Sequence, residues 1–314
     1  KFTLFSDMVV FSSYAMQVVM SFMMLVMIFI MLPRASVAAK RILEVLDTEP
    51  SIEDGTRDTF PVMKDGEVEF KDVSFKYPDA EEYVLEHISF SAKKGETIAF
   101  IGATGCGKST AINLIPRFYD ATEGEVFVDG VNVKEYTQEA LHNKIGYVSQ
   151  KAILFSGTIA DNVAYGENGK APATQDDIAM AVKVAQASEF VEKKDQGYDG
   201  YVAQGGSNFS GGQKQRVSIA RAIARQPEIL IFDDSFSALD YKTDRILREA
   251  LRKECKDATK IIVAQRIGTI RDADKIIVLD DGQIAGMGTH DELMKNCEVY
   301  QEIAYSQLSK EELA

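Results

Sequence analysis

From Met8 to Leu32 the sequence carries no charge, with Ser12, Ser13, Gln17 and Ser21 set among Met, Val, Phe, Leu and Ile. At about 1.5 Å per residue a helix of this run spans ~37 Å, enough to cross a ~30 Å bilayer core with some tilt. The run is too long for a buried core helix. A secretory signal has an apolar stretch of only ~7–15 residues behind a basic segment, so the pattern predicts a membrane span. Arg34, Lys40 and Arg41 follow the run, against only Lys1 and Asp7 before it, which places its C-terminal side in the cytoplasm. Pro33 is expected to kink or interrupt the helix. Val37, Ala38, Ile42, Val45 and Leu46 then restore a helical apolar stripe, so the helix is expected to resume and continue below the membrane to residue 46.

After Asp47 the pattern turns polar and acidic and is punctuated by Pro50 and Gly55, as linkers are. A linker is expected over residues 47–63, a globular domain over 64–308 and a tail over 309–314. Within the globular part, strands are expected at Gly66 to Tyr77, Glu96 to Ile101, Ile145 to Ser149, Ile229 to Asp233, Lys260 to Ala264 and Lys275 to Leu279. Several are continuous apolar runs, the mark of parallel strands covered on both faces in an α/β sheet. Between Lys151 and Arg216 the strand signal fades. Helical patterns such as Asp176 to Glu192 take over, predicting an inserted helical subdomain.

Composition narrows the roles open to such a chain. A net charge of -13 disfavours nucleic acid or anionic headgroups as partners of a broad surface. The cysteines, Cys106, Cys255 and Cys297, are odd in number and contain no CxxC pair, so neither zinc nor a redox dithiol is indicated.

Three motifs carry chemistry. Gly102-Ala103-Thr104-Gly105-Cys106-Gly107-Lys108-Ser109-Thr110 matches GxxxxGK[ST] between a strand and a helical pattern through Ile112 and Leu114. There the glycines let backbone N–H groups wrap a polyphosphate; Lys108 is placed to reach the β- and γ-phosphates and Ser109 a Mg²⁺ ion. A chance Gly-rich turn would lack this placement. Ile229-Leu-Ile-Phe-Asp233-Asp234 is an apolar strand ending in two carboxylates, one suited to the metal and one to an attacking water. Ser210-Gly211-Gly212-Gln213 precedes a helical stretch from Val217 to Ala224, where free N–H groups at a positive helix end can grip phosphate. By itself this last turn reads as a flexible surface loop.

Together these motifs resemble the ABC ATPase family, whose LSGGQ signature appears here as Phe209 to Gln213. The resemblance covers about Lys64 to Leu308. With the preceding helix, the chain is similar to an ABC exporter half-transporter that lacks its first five membrane helices. The fold so implied is a P-loop ATPase with a mixed core sheet flanked by helices, an antiparallel β subdomain and an inserted helical subdomain. The resemblance further implies that Tyr77 stacks on adenine, that Gln150 senses Mg²⁺ and contacts the membrane domain, and that Ser237 to Asp240 form the loop crossing to a partner domain. Without the family, Asp240 reads as a helix N-cap. Two such domains pair head to tail in the family, each ATP lying between the Walker motifs of one and the Ser-Gly-Gly of the other.

Two departures change the expectation. The family's catalytic Glu is replaced by Asp234, one methylene shorter, and a misplacement of about 1 Å can cost ~100-fold in rate. The switch His is replaced by Gln265, which can donate a hydrogen bond but carries no charge or proton. The chain therefore resembles the degenerate-site subunit of bacterial heterodimeric multidrug exporters. The implied partner is a second, hydrolysis-competent half-transporter in the cell membrane, and the implied cargo is a hydrophobic small molecule. The alternatives are a self-paired exporter with slow ATPase, an ATP-sensing regulatory subunit, and a soluble ABC ATPase of DNA repair, which the span at Met8 to Leu32 disfavours. Gln204 stands where many exporters carry a Glu. Cys106 is expected to act as a small filler, or, if exposed, as a thiol whose alkylation blocks nucleotide binding.

Overall fold

The structure is a computed structural model that describes residues 2–58, 65–78, 80–194 and 196–307. Residues 59–64 and 308–314, which hold part of the expected linker, the start and end expected for the globular domain, and the tail, lie outside the described residues. The chain divides at Glu53/Asp54 into two compact units.

The first unit is one helix, α1 (Phe2–Leu46), long and apolar enough by length and composition to cross a membrane. Ser21 Oγ donates to the Gln17 carbonyl at 2.9 Å, so this polar residue is satisfied within the helix. Of the two outcomes expected at Pro33, a kink or an interruption, the interruption does not occur: the helix continues through it. Proline removes a single backbone N–H, and the helical ladder on either side is long enough to carry that loss.

The second unit is layered α/β. β1 (Val68–Phe75), β2 (Leu85–Ala92), β4 (Glu123–Val128) and β5 (Val131–Asn132) form an antiparallel sheet in the order β2-β1-β4-β5. The central sheet contains β3 (Thr97–Ile101), β6 (Ile145–Val148), β9 (Ile229–Asp233), β10 (Thr259–Val263), β11 (Lys275–Asp280) and β12 (Gln283–Gly288) in the order β12-β11-β3-β10-β9-β6. All its pairs are parallel except the β11–β12 hairpin, so the sheet is mixed. The apolar runs explain why: in β9, Ile229 and Ile231 enter the core shared with the antiparallel sheet, while Leu230 and Phe232 enter the core under the helices.

Around the sheet lie α2 (Lys108–Asn113), α3 (Gln138–Lys144), α7 (Gly211–Ala224), α8 (Tyr241–Glu254), α9 (Ile267–Ile270), α10 (His290–Asn296) and α11 (Glu298–Gln307). The helical insertion holds α4 (Ile159–Val163), α5 (Gln175–Val184) and α6 (Ser188–Glu192), with a short hairpin of β7 (Gly157–Thr158) and β8 (Tyr201–Val202). The single helical segment expected from Asp176 to Glu192 is two helices, because Gln186 adopts a left-handed φ of 56° between them. Residues 54–58, polar enough to read as linker, are bonded to the globular unit: Gly55 N–H donates to the Tyr136 carbonyl at 3.0 Å and Gln138 N–H to Asp54 Oδ1 at 2.6 Å.

Candidate functional site

Four segments leave the C-terminal ends of adjacent parallel strands together, where ligands bind in open α/β sheets. The loop 102–107 follows β3, Gln150 follows β6, Asp233 ends β9 with Asp234 next after it, and Gln265 follows β10. The register sets the convergence, with Phe232 beside Val148 and Asp233 beside Val263.

The loop needs its glycines for geometry. Gly102, Gly105 and Gly107 have φ of 151°, 90° and 95°, which L side chains rarely adopt. A Cβ on Gly102 would also collide with the Leu279 carbonyl. Lys108 Nζ donates to the carbonyls of Gly102 at 2.9 Å and Ala103 at 2.6 Å, which folds the ammonium back over the loop. Cys106 is buried, its thiol 3.5 Å from Lys108 Nζ, so the filler reading holds and the exposed, alkylatable thiol does not. Thr110 Oγ1 and the Tyr77 hydroxyl lie 3.1 Å apart, tying Tyr77 to α2. The Tyr77 ring stands edge-on to Phe75 and Tyr119 at 5.0 and 5.2 Å, an aromatic cluster beside the loop.

Ser109 Oγ donates to Asp233 Oδ1 at 2.7 Å. A hydroxyl and a carboxylate so paired fit Mg²⁺, a hard cation that takes oxygen ligands and few of them from protein side chains. Among the described residues no cluster of three His, Cys, Asp or Glu could hold a metal alone. Gln150 does not join this pair: its Nε2 donates to Asp234 Oδ2 at 3.2 Å. Gln265 Nε2 donates to the same oxygen at 2.8 Å, so two neutral amides converge on one carboxylate. Asp234 is buried and has a φ of 45°, a left-handed conformation that Asp tolerates better than most residues. Burial pushes its carboxyl above the ordinary value and the Asp233 charge adds to this, against the Gln150 and Ser237 bonds and the Lys108 charge.

Ser210, Gly211, Gly212 and Gln213 open α7 in a capping box, with Gln213 N–H donating to Ser210 Oγ and Ser210 N–H to Gln213 Oε1. Gly211 faces open space, and a Cβ on Gly212 would lie 3.1 Å from the Ala238 carbonyl. Among the described residues no hydrogen bond joins this turn to the loop 102–110. Asp240 caps α8, accepting from Thr243 N–H at 3.0 Å. Gln204 opens a short 3₁₀ turn, Gln204–Gly206, braced by Lys214 Nζ donating to the Gly205 carbonyl at 2.9 Å.

Sequence reasoning missed Tyr147. Its hydroxyl lies 2.9 Å from Asn113 Oδ1 and 3.3 Å from Asp233 Oδ2, and burial, with the Asp233 charge, pushes it well above the ordinary tyrosine value. Three residues before Gln150 it reads as another strand aromatic, and only the β6–β9 pairing brings it to the acid. Arg266 was missed too; it donates to the carbonyls of Ser237 at 3.3 Å and Leu239 at 3.4 Å.

The profile of the ABC transporter family matches residues 85–237. A solved bacterial Atm1-family ABC exporter with ATP bound superposes with a TM-score of 0.81 at 34% sequence identity, over 88% of this chain and 48% of that one. The globular unit is an ABC transporter ATPase domain. An uncharacterized ABC transporter ATP-binding protein of Mycobacterium tuberculosis is 46% identical over 302 residues, 96% of this chain and 52% of the relative. The ATP-dependent lipid A-core flippase of Haemophilus influenzae is 41% identical over 276 residues, 88% of this chain and 46% of the flippase. The ABC ATPase chain spans about half the length of the curated relatives it matches.

Proposed function

We propose that this chain is the ATP-binding subunit of a heterodimeric ABC exporter, with α1 as the last membrane helix and the ATPase domain in the cytoplasm. Its own Walker site holds ATP with little turnover, while Ser210 to Gln213 complete the hydrolytic site of a different half-transporter. The observation that carries this reading is the Asp234 carboxylate, shortened by one methylene and bonded on one oxygen by both Gln150 and Gln265. Both amides draw on the negative charge that a catalytic base would offer to water, and neither can carry charge or a proton in exchange. Gly211, facing open space at the start of α7, agrees with a role in a second chain.

Within the site, the loop amides and Lys108 bind and orient phosphate, Ser109 and Asp233 would hold Mg²⁺, and Tyr77 gives an aromatic edge for adenine. The metal would supply positive charge to offset that of the phosphates. Cargo of drug or lipid-like character is supported by the relatives, one a lipid A-core flippase and another a putative multidrug export ATP-binding/permease protein of Staphylococcus aureus, 43% identical over 262 residues. Single-turnover hydrolysis in the purified two-chain complex tests the asymmetry. Asp234→Ala is expected to leave most ATPase activity, and removal of the partner's Walker B carboxylate to abolish it. Equal loss in the two variants would falsify the reading, as would brisk turnover by a self-paired assembly.

A further inference from the structure

The segment 265–267 is held on one side by Asp234 and on the other by the C-terminal helix. Gln307, the last residue of α11, accepts the Ile267 N–H on its Oε1 at 2.9 Å and donates from Nε2 to the Gln265 carbonyl at 2.8 Å. One planar amide thus fixes both the position and the orientation of this backbone, as a neighbouring strand would. The need for it is local. α9 is only four residues long and its N-cap, Arg266, makes no side-chain cap bond, so the Ile267 amide is an orphan of the first turn that Gln307 satisfies from another helix. Gln265 carries the hold onward, its side chain donating to Asp234 Oδ2 at 2.8 Å.

We propose that Gln307 is a positioning residue for the ATP site: by fixing the Gln265 backbone it keeps the Gln265 amide on Asp234, so that docking of α11 sets how long nucleotide is retained. α11 has independent anchors in Tyr300 and Ala304, both fully buried, and in the Tyr300 hydroxyl 2.8 Å from His290 Nδ1. Gln307 can therefore be changed without undocking the helix.

The test uses the complete two-chain transporter. In Gln307→Ala, amide exchange over residues 264–268 is expected to rise about tenfold while exchange over 298–304 stays unchanged. Retention of radiolabelled ATP at this chain's site falls about tenfold, with initial ATP affinity unaltered. Gln307→Glu keeps the acceptor for Ile267 but loses the donor to Gln265, so it restores protection at 264–268 and not retention. Unchanged exchange at 264–268 overturns the proposal, and so does raised exchange with unchanged retention. Only the retention measurement rests on the function proposed above. If the wild-type complex retains no ATP at this site, that function fails separately, and the clamp is judged by exchange at 264–268 and at 232–236, which must rise together.

Discussion

Ser109 Oγ donates to Asp233 Oδ1 across 2.7 Å, joining the first turn of α2 to the end of β9. This bond sets a hydroxyl and a carboxylate at the spacing a shared cation needs, and it makes Mg²⁺ dependence separable from phosphate binding by the loop. Ser109→Ala is expected to weaken ATP binding about 10–100-fold when Mg²⁺ is present, the range for bonds to charged groups, and to change little in its absence. Titration of a fluorescent ATP analogue with and without EDTA checks this; equal weakening in both would remove Ser109 from the metal's shell.

If the short acid and the neutral switch residue limit turnover, restoring both should restore chemistry. Asp234→Glu with Gln265→His is expected to raise single-turnover hydrolysis at this chain's site about 100-fold. Either change alone gives less, because each leaves one half of the acid and switch pair unrepaired. Turnover that stays at the starting rate in the double variant would place the limit elsewhere.

Much of this site is legible in the sequence because its chemistry sits in contiguous motifs at strand ends. Gly102 to Thr110 and Ile229 to Asp234 announce themselves by residue type and by position after an apolar run. The apolar runs give the core strands for the same reason, since a strand buried on both faces has no polar positions to confuse its limits. What the sequence hides is whatever pairing creates. Tyr147 meets Asp233 only because β6 lies beside β9, and Gln307 meets Gln265 through the packing of α11. The strand β12, Gln-Ile-Ala-Gly-Met-Gly, alternates weakly and sits at the sheet edge; its one local signal, missed by sequence reasoning, is Asp281-Gly282, a two-residue turn with φ of 44° and 80° that pairs Asp280 with Gln283 in an antiparallel hairpin. Pro33 misleads in the other direction, since its penalty is local and α1 is long.

Asp244 and Arg248 form a buried pair at 3.0 Å, and the Thr269 hydroxyl donates to the second Asp244 oxygen at 3.0 Å, which fastens α8 to α9. Removing Asp244 leaves the mostly buried Arg248 guanidinium with only the exposed Asp272 carboxylate at 3.7 Å and the Gly268 carbonyl at 3.0 Å as partners. Asp244→Ala is expected to cost about 3–5 kcal/mol, and replacing both residues with apolar side chains of similar volume to recover most of it. Denaturant unfolding of the three proteins reads the difference; a double variant as unstable as the single would show that lost packing, not the unpaired charge, is responsible.

Asp129 lies beside Lys144 and Glu228, with Lys144 Nζ at 2.8 Å from Asp129 Oδ2 and 2.7 Å from Glu228 Oε2. Burial pushes the Asp129 carboxyl from 3.8 up to about 6, against the pull of Lys144. Burial lowers Lys144, but its bonds to both carboxylates outweigh this and leave it raised, so it stays charged through the acid range. The folded state then holds the Asp129 proton more tightly than the unfolded one, and the stability this proton supplies is lost as pH rises from about 4 to about 6. Asp129→Asn lacks that loss. Its stability relative to wild type is expected to climb across this window and level off above it, as denaturant midpoints at pH 4.5, 6 and 7.5 will show; a constant difference would mean that Asp129 titrates normally.

Ser210 separates the two roles assigned to this chain. Its side chain accepts from Gln213 N–H in the α7 cap, so Ser210→Ala costs about 1 kcal/mol of helix stability and the domain stays folded. Nothing in that bond touches the loop 102–110, and ATP binding at this chain's own site should be unchanged. If the turn instead serves the opposing site, it contributes a donor to phosphate charge that develops in the transition state, and losing such a donor costs about 100-fold or more in rate. ATPase activity of the two-chain complex is therefore expected to collapse in Ser210→Ala although this chain still binds nucleotide. Lys108→Ala gives the reverse order, weakening binding here first. Should Ser210→Ala spare the complex and reduce nucleotide binding in its own chain, the turn acts in cis and the division of labour between the two subunits is lost.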